Sequence, residues 1–152
     1  MRLKVLTALA AVAMLAACET PNEGAGGAGG GTQRAQTLQE QLVAVGDRVF
    51  FDYDKSDLKP EARRQIERWA EFLKRNANAT VTIEGHCDER GTREYNLGLG
   101  ERRANAAKNY LVSQGIEARR VATISYGKER PAVNGSNEAA WSQNRRGVAV
   151  VN

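Results

Sequence analysis

The chain has 152 residues, 41% of them hydrophobic and 26% charged, and a formal net charge of +4. This length supports one domain of about 100–150 residues rather than two. Acidic and basic residues are interleaved, which argues against a nucleic-acid-binding surface. One histidine and two cysteines support neither a disulfide framework nor a histidine-rich metal site.

The N-terminus, residues 1–17, is predicted to be a signal peptide. Arg2 and Lys4 precede an apolar run over residues 5–17, which is too short to remain as a membrane-spanning anchor. Residues 15–18 read Leu-Ala-Ala-Cys and resemble the lipobox of bacterial lipoproteins, in which the cysteine is lipidated and becomes the first mature residue. We therefore predict a lipid on Cys18; the alternative is an ordinary signal peptide followed by an accidental cysteine.

The residue after this cysteine bears on which membrane holds the lipid. In the sorting rule for such lipoproteins, an aspartate at that position retains the protein in the inner membrane. Glu19 stands there instead, so we expect an outer-membrane anchor with the domain facing the periplasm. Once Cys18 carries lipid, Cys87 is the one thiol left in the sequence, and no intramolecular disulfide can form.

Residues 18–36 are predicted to comprise the lipidated cysteine and a flexible linker, followed by a domain over residues 37–152. Six glycines lie between residues 24 and 31, among alanines and without apolar periodicity. A Gly-rich coil of about 18 residues spans roughly 20–25 Å on average, which suits a tether. The segment lacks the Gly-Lys-Ser/Thr ending of a phosphate-binding loop.

The domain sequence alternates between strand and helix patterns. Strands are predicted at residues 47–51, 80–85, 121–126 and 147–151. Helices are predicted at residues 60–75 and 93–114, with a short turn or helix at 138–141. The first helix carries one apolar stripe, formed by Ala62, Ile66, Trp69, Ala70 and Leu73. The βαβαβ(α)β order predicts an α/β (α+β) two-layer sandwich, in which helices pack on one face of a mixed sheet.

Helical periodicity sorts the side chains of the second helix. Its apolar residues Leu97, Ala104, Ala107 and Leu111 share one side and are expected to face the sheet. Helices of this kind carry their polar side chains on the opposite side and on the flanks. The polar residues near the start of the helix are therefore candidates for a site.

These polar residues separate into a solvent-facing group and a flank. Arg102 is predicted to point into solvent, whereas Arg103 lies on the flank, about a quarter turn from the core direction. Asn96 occupies the same flank two turns nearer the helix start, and Asp88 lies in the loop before it. Leu99 lies off the core face, as an apolar wall beside them.

Asp88, Asn96 and Arg103 are thus predicted to share one edge of the domain. A carboxylate and a guanidinium on a rigid frame suit a zwitterion, a ligand with its own ammonium and carboxylate. The spacing leaves an alternative open, a structural salt bridge between Asp88 and Arg103. From the flank position, we expect the Arg103→Ala substitution to remove ligand binding and to leave the fold intact.

Three segments of the domain resemble the OmpA-like peptidoglycan-binding family. They read GHCDERGTREYNLGLGERRA at residues 85–104, SYGKERP at 125–131 and NRR at 144–146. The earlier FDYDKS at residues 51–56 matches the family pattern at the end of its first strand. The resemblance covers about residues 47–152, and with the lipobox and the Gly-rich linker it extends to family members that carry a lipid anchor. It implies the OmpA-like fold.

The resemblance implies a ligand, the meso-diaminopimelate residue of the peptidoglycan peptide stem. In the family, the aspartate at the position of Asp88 meets the ammonium of the ligand, and the arginine at the position of Arg103 meets its carboxylate. The same pattern implies five further binding residues: Tyr53, Asp54, Thr92, Asn96 and Leu99. Arg145 and Arg146 are interpreted as structural ties of the last strand, outside the site.

The resemblance also implies a role and partners. The role is to tether the outer membrane to the cell wall within the Tol system, which supports envelope integrity and cell division. TolB and the other Tol proteins are the implied partners, and TolB is expected to compete with peptidoglycan for an overlapping surface. The alternative hypothesis is a protein-interaction module that acts mainly through TolB. No cofactor is implied.

An enzyme would have to use His86 and Cys87, the one histidine of the chain beside a thiol. Adjacent residues at a strand end point to opposite faces, so these two side chains cannot readily share a proton. A consecutive His-Cys-Asp also does not converge on a metal ion. We therefore predict no enzymatic activity, and we interpret His86 as a packed, hydrogen-bonded residue that supports the loop.

Overall fold

Helices and strands alternate through residues 36–152, the part of the chain that the computed structural model describes. The predicted signal peptide, Cys18 and all but the last residue of the predicted linker lie outside the described residues. The strands are β1 (Arg48–Phe50), β2 (Val81–His86), β3 (Val121–Gly127) and β4 (Arg146–Val151). The helices are α1 (Leu38–Val45), α2 (Pro60–Arg75), α3 (Arg93–Ser113) and α4 (Glu138–Asn144), with a 3-10 turn at Ala118–Arg120.

The four strands form one mixed sheet in the order β1-β4-β2-β3. The last strand, β4, runs antiparallel to both of its neighbours, while β2 and β3 are parallel. It follows that β1, β2 and β3 all point the same way, and that the loops leaving them meet at one edge of the sheet. This edge brings residues 51–55 beside residues 87–92, which are far apart in the sequence.

The helices cover one face of this sheet. The predicted stripe of α2 is confirmed, because Ile66, Trp69 and Leu73 are each at most 1% exposed. They pack with Ile83 of β2 and Leu111 of α3 in one core. Fully burying each large apolar side chain contributes roughly 1.5–3 kcal/mol. The predicted fold class, a two-layer α/β sandwich with helices on one face of a mixed sheet, is confirmed. Among the described helices, none combines the length and the apolar character that crossing a membrane requires.

Two glycines let α3 lie directly on β2. A Cβ atom on Gly85 would lie 1.8 Å from the carbonyl oxygen of Gly100, and one on Gly100 would lie 2.3 Å from Oγ of Ser125. Both distances are far below van der Waals contact, so larger residues would push the helix away from the sheet. This close contact brings Leu99 and Arg103 against the end of β2.

Helix α1 and the 3-10 turn at Ala118–Arg120 were not predicted from the sequence. Helix α1 precedes the first strand, and a capping box starts it: Thr37 Oγ1 accepts a hydrogen bond from Glu40 N (3.2 Å), and Thr37 N donates to Glu40 Oε2 (2.7 Å). Only Leu42 of this eight-residue helix is buried. So short a helix shows no repeated apolar stripe. The Thr37–Glu40 capping pair was the feature of the sequence that could have indicated its start.

The predicted orientation of α3 was wrong in its first half. Leu97 is 51% exposed, whereas Leu99 and Arg103, assigned away from the core, are 4% and 0% exposed. Ala104, Ala107 and Leu111 face the core as predicted. The buried stripe includes an arginine, and since charged residues are rarely buried, the periodicity of the apolar residues alone misplaced it.

Candidate functional site

A small cavity lies where the loops after β1 and β2 meet the start of α3. Its volume is about 110 Å³, well below the roughly 300–1,000 Å³ of pockets that enclose a whole small molecule. It is therefore suited to the end group of a larger ligand. The lining residues are Tyr53, Asp54, Cys87, Asp88, Arg90, Gly91, Tyr95, Asn96, Leu99 and Arg103.

Six of the seven predicted binding residues line this cavity. They are Tyr53, Asp54, Asp88, Asn96, Leu99 and Arg103. The seventh, Thr92, lies outside the lining and caps α3, where its hydroxyl accepts a hydrogen bond from Tyr95 N at 3.2 Å. The structure thus brings the predicted carboxylate and guanidinium into one cavity and gives Thr92 a structural task.

The floor of the cavity is formed by Cys87, Leu99 and Arg103. Arg103 is fully buried, and its guanidinium is held by three main-chain carbonyls. Nε donates to Lys55 O (2.8 Å), Nη1 to His86 O (2.9 Å) and Nη2 to Asp52 O (3.0 Å). These bonds tie the loop after β1 and the end of β2 to α3, and they fix the plane of the guanidinium.

In the part of the chain that the structure describes, the positive charge of Arg103 has no direct counterion. Within residues 36–152 it forms no ion pair, and the salt bridge with Asp88 that the sequence left open is not present. Burial lowers the pKa of the guanidinium below its usual range, but an arginine stays charged in proteins. Of its five N–H groups, three make these bonds, so one on Nη1 and one on Nη2 remain as donors for a carboxylate.

The buried position contradicts one expectation from the sequence. An arginine on a flank could be replaced without harm to the fold, whereas Arg103 joins segments 48 and 51 residues away. Its replacement by alanine would remove a donor from three main-chain carbonyls, one of them the buried carbonyl of His86, and a buried carbonyl left without a donor costs about 1–3 kcal/mol.

The rim of the cavity is formed by Tyr53, Asp88 and Arg90. Asp88 is 4% exposed, and both of its oxygens are occupied. Arg90 donates to Oδ1 from its main-chain N (3.1 Å) and from Nε (3.1 Å), and to Oδ2 from Nη2 (2.6 Å). Arg145 Nη1 lies 3.5 Å from Oδ2. Burial opposes ionisation of Asp88, but these arginines outweigh it and hold its pKa below the usual value.

Arg145 therefore contacts the site, although the sequence analysis placed it outside. It is 6% exposed, and it also donates to Phe51 O (3.0 Å) and Glu138 Oε1 (2.5 Å). It links α4 and β1 to Asp88 and so orients the carboxylate. Arg146 keeps the predicted structural role, since it donates to Asn144 O (3.3 Å) and Arg130 O (3.1 Å).

Two further predicted residues shape the cavity through the loops. Asp54 has φ = 55°, a left-handed conformation that aspartate tolerates better than most residues, and its carboxylate accepts a hydrogen bond from the hydroxyl of Tyr95. Asn96 donates from Nδ2 to Arg90 O (2.8 Å) and Thr92 O (3.0 Å). Asn96 thereby holds the loop after β2 against the helix start.

His86 and Cys87 point to different surroundings. His86 is 1% exposed, and its ring packs on Tyr126 with centroids 5.5 Å apart. Burial, with the nearby charges of Arg146 and Arg130, lowers the pKa of His86 to about 4. Cys87 instead lines the cavity and donates to Asn96 O at 3.3 Å, and burial raises the pKa of its thiol. Among the hydrogen bonds of residues 36–152, none joins the His86 and Cys87 side chains.

Sequence reasoning missed Cys87, Arg90, Gly91 and Tyr95 as lining residues. The signal for Arg90 was its position two residues after Asp88 in a loop, where an aspartate side chain commonly accepts a hydrogen bond from the main-chain N–H. Tyr95 could not be found this way, because its hydroxyl contacts Asp54, 41 residues earlier. That contact exists only once the loops after β1 and β2 meet.

The chain matches known proteins over most of its length. The OmpA family matches residues 50–145. The peptidoglycan-associated lipoprotein of Rhizobium meliloti (strain 1021) is 47% identical over 152 residues, which cover 97% of this chain and 86% of that protein. The protein of the same name from Agrobacterium fabrum (strain C58) is 51% identical over 128 residues, 84% of this chain and 71% of the relative.

Solved structures share the fold. The crystal structure of the peptidoglycan-associated lipoprotein from Burkholderia pseudomallei is 36% identical, with a TM-score of 0.70 over 73% of this chain and 93% of that chain. The C-terminal domain of Helicobacter pylori MotB is 18% identical, with a TM-score of 0.65 over 70% of this chain and 84% of that chain. The second likeness concerns the fold alone.

Proposed function

Because this chain belongs to the OmpA family and, within it, to the peptidoglycan-associated lipoproteins, we propose that its domain binds peptidoglycan without covalent chemistry. The observation that carries the proposal is Arg103, a fully buried cation on the cavity floor without a counterion among the described residues. A ligand carboxylate would supply the missing negative charge and accept hydrogen bonds from the two unused N–H groups of Arg103. The proposed ligand group is the end of meso-diaminopimelate in the peptide stem.

The ammonium of the same end group is proposed to bind Asp88. Each charge-assisted hydrogen bond contributes roughly 1.5–3 kcal/mol. Two such contacts with some apolar burial on Leu99 predict micromolar binding of a free stem peptide, on the order of −8 kcal/mol. Such weak contacts suffice at a membrane, because the cell wall repeats the ligand and binding becomes multivalent.

In the cell, we propose that a lipid on Cys18 anchors the protein in the outer membrane and that the Gly-rich segment spans the gap to the wall. The tether would support envelope integrity and cell division as part of the Tol system. TolB is a proposed second partner, and this proposal rests on the family resemblance rather than on a contact within the structure. A module that acts mainly through TolB remains the alternative hypothesis.

Binding to isolated cell-wall sacculi tests the main proposal. The full chain in detergent is sedimented with sacculi as the wild type and as Asp88→Asn, Arg103→Lys and Arg102→Lys variants, with circular dichroism to check folding. Arg103→Lys keeps a charge but lacks the guanidinium, so we expect a loss of at least tenfold. Asp88→Asn should lose a similar factor. Arg102→Lys, on the exposed neighbour, should bind as the wild type does.

Two outcomes would decide against this proposal. Equal sedimentation of all folded variants would exclude the cavity as the binding site. No sedimentation of the folded wild type would favour the alternative hypothesis, and TolB would be the first partner to test. If TolB binds, adding a stem peptide that ends in meso-diaminopimelate should release it from the wild type, since the two surfaces are proposed to overlap.

Membrane fractionation tests the anchor. The Cys18→Ala variant should leave the membrane fraction, because it cannot carry the lipid, and it should still sediment with sacculi. Retention of this variant in the outer membrane would contradict the lipid anchor without affecting the peptidoglycan site.

A further inference from the structure

Asp88 has no room for another hydrogen-bond donor. A carboxylate accepts about four hydrogen bonds, and Asp88 already faces four donors: three from Arg90 and one from Arg145. A ligand ammonium placed here would meet a saturated carboxylate. If Asp88 binds an ammonium, a donor that is already there must first leave.

The two arginines differ in how firmly they are held. The side chain of Arg145 is 8% exposed and is fixed by Phe51 and Glu138 in addition to Asp88. The side chain of Arg90 is 29% exposed, and among the described residues its guanidinium hydrogen-bonds only to Asp88. Arg90 can therefore withdraw without uncovering another buried polar group, whereas Arg145 cannot.

Aromatic rings hold the guanidinium of Arg90 over the cavity. It lies 3.9 Å from the ring centroid of Tyr53 and 3.9 Å from that of Trp141. Tyr53 is 58% exposed, so this stacking is near the surface, where each cation–π contact contributes only about 0.5–1 kcal/mol. The rings position Arg90 on Asp88 without locking it there.

We propose that Arg90 is a built-in occupant of the ammonium position, and that the ammonium of a ligand displaces its guanidinium from Asp88. The inference rests on the proposed function, since it concerns the same cavity. When the side chain of Arg90 leaves, its main-chain N–H stays on Oδ1, and each oxygen of Asp88 regains one acceptor position. A ligand that carries a carboxylate but no ammonium does not displace Arg90, so it binds through Arg103 alone.

Matched ligands and variants test the displacement. Calorimetric titration of the full chain in detergent uses two peptides: a stem tripeptide that ends in meso-diaminopimelate, and its analogue without the distal amine. The Arg90→Gln variant removes the competing cation and keeps the side-chain length and polarity. Arg93→Gln is the control, because Arg93 is exposed, carries the same charge and, within residues 36–152, forms an ion pair only with the exposed Glu129.

Displacement predicts different responses of the two peptides. Arg90→Gln should bind the diaminopimelate tripeptide about three- to tenfold more tightly than the wild type, because no cation has to leave Asp88 before the ammonium binds. Its affinity for the analogue should change less than twofold, and Arg93→Gln should change neither. Weaker binding of both peptides by Arg90→Gln would overturn the inference and identify Arg90 as a second receptor for carboxylate. Unchanged binding of both would overturn it as well.

Arg103→Lys separates this inference from the proposed function. If the wild type binds the tripeptide and the Arg103→Lys variant does not, the proposed site is supported, whatever the result for Arg90→Gln. If neither the wild type nor Arg90→Gln binds the tripeptide, both proposals fail. Binding by Arg90→Gln alone would support the displacement in its strongest form, with the free site closed by its own arginine.

Discussion

The floor and the rim of the cavity both hold buried charge, but they hold it in opposite ways. On the floor, the guanidinium of Arg103 is bound by three neutral carbonyls and meets no carboxylate among the described residues. On the rim, Asp88 is neutralised by two arginines. The floor therefore keeps a net attraction for an anion, whereas the rim can accept a cation only if one of these arginines leaves Asp88.

This difference separates affinity from selectivity. The guanidinium of Arg103 is held in place before the ligand arrives, so little ordering entropy opposes the binding of a carboxylate. At the rim, only a ligand cation can displace Arg90, so the contact with Asp88 is open to zwitterions but not to simple carboxylates. A floor that is structural and a rim that is exchangeable also predict very different responses to mutation.

Removal of Arg103 should have the largest effect. Arg103→Ala removes the donor from three main-chain carbonyls and leaves a cavity where a fully buried side chain was, so we expect the free energy of unfolding to fall by about 3–5 kcal/mol. Urea unfolding of the full chain measures it. Arg102→Ala, on the exposed neighbour, should change the value by no more than about 0.5 kcal/mol. Similar losses in the two variants would show that the floor is not structural.

The contact between α3 and β2 should come next. Gly100→Ala places a methyl group 2.3 Å from Ser125 Oγ and 2.9 Å from Gly85 O, and we expect a loss of about 2–3 kcal/mol with weaker ligand binding, because the helix that carries Arg103 must move. Gly98→Ala is the control in the same helix. Its Cβ would meet only Arg102 at 3.5 Å, so it should be neutral or stabilising by up to about 1 kcal/mol.

His86 should make the free energy of unfolding depend on pH, because its buried ring resists protonation in the folded protein. Its ring is surrounded by Glu84 of β2, Tyr126 of β3, and Arg130 and Arg146. The unfolded chain binds a proton at about pH 6.5, whereas the folded protein does so only at about 4. Between these values the unfolded state binds more protons, so stability falls as the pH falls.

The expected loss between pH 7 and pH 4.5 is about 2–3 kcal/mol for the wild type. His86→Asn removes the titrating ring and should flatten this dependence. Asp88 also loses stabilising interactions in acid, but its depressed pKa places that loss below pH 4, outside the range measured. Urea unfolding of both proteins at several pH values measures the effect. If the free energy of unfolding of His86→Asn declines as steeply as that of the wild type, other groups cause the pH dependence.

Replacement of Arg90 should have the smallest effect on stability. In Arg90→Gln, Asp88 keeps Arg145 and the main-chain N–H of residue 90, so we expect a loss of at most about 1 kcal/mol. The same urea experiment measures it beside Arg93→Gln. A loss as large as that of Arg103→Ala would mean that the rim is as structural as the floor, and would argue against exchange at Asp88.

Local patterns in the sequence predicted most of the architecture. The stripe of Ala62, Ile66, Trp69, Ala70 and Leu73 identified α2 and its buried face, and alternation around Val81 and Ile83 identified β2. Helix α1 was not predicted, because eight residues with one buried side chain carry too little periodicity. The order of the strands was not predicted either, because β4 lies between β1 and β2 through pairings that span the whole domain.

The sequence by itself determined that Asp88 and Arg103 belong to one site, since the loop and the helix that carry them are adjacent in the chain. Tertiary structure alone decided how each charge is held. Arg103 is bound by carbonyls 48 and 51 residues away, and Asp88 by Arg145, 57 residues away. Helical periodicity treats an arginine as a surface residue because burying a charge is costly. Only the meeting of the loop after β1 with the end of β2 supplies the acceptors that make this burial stable.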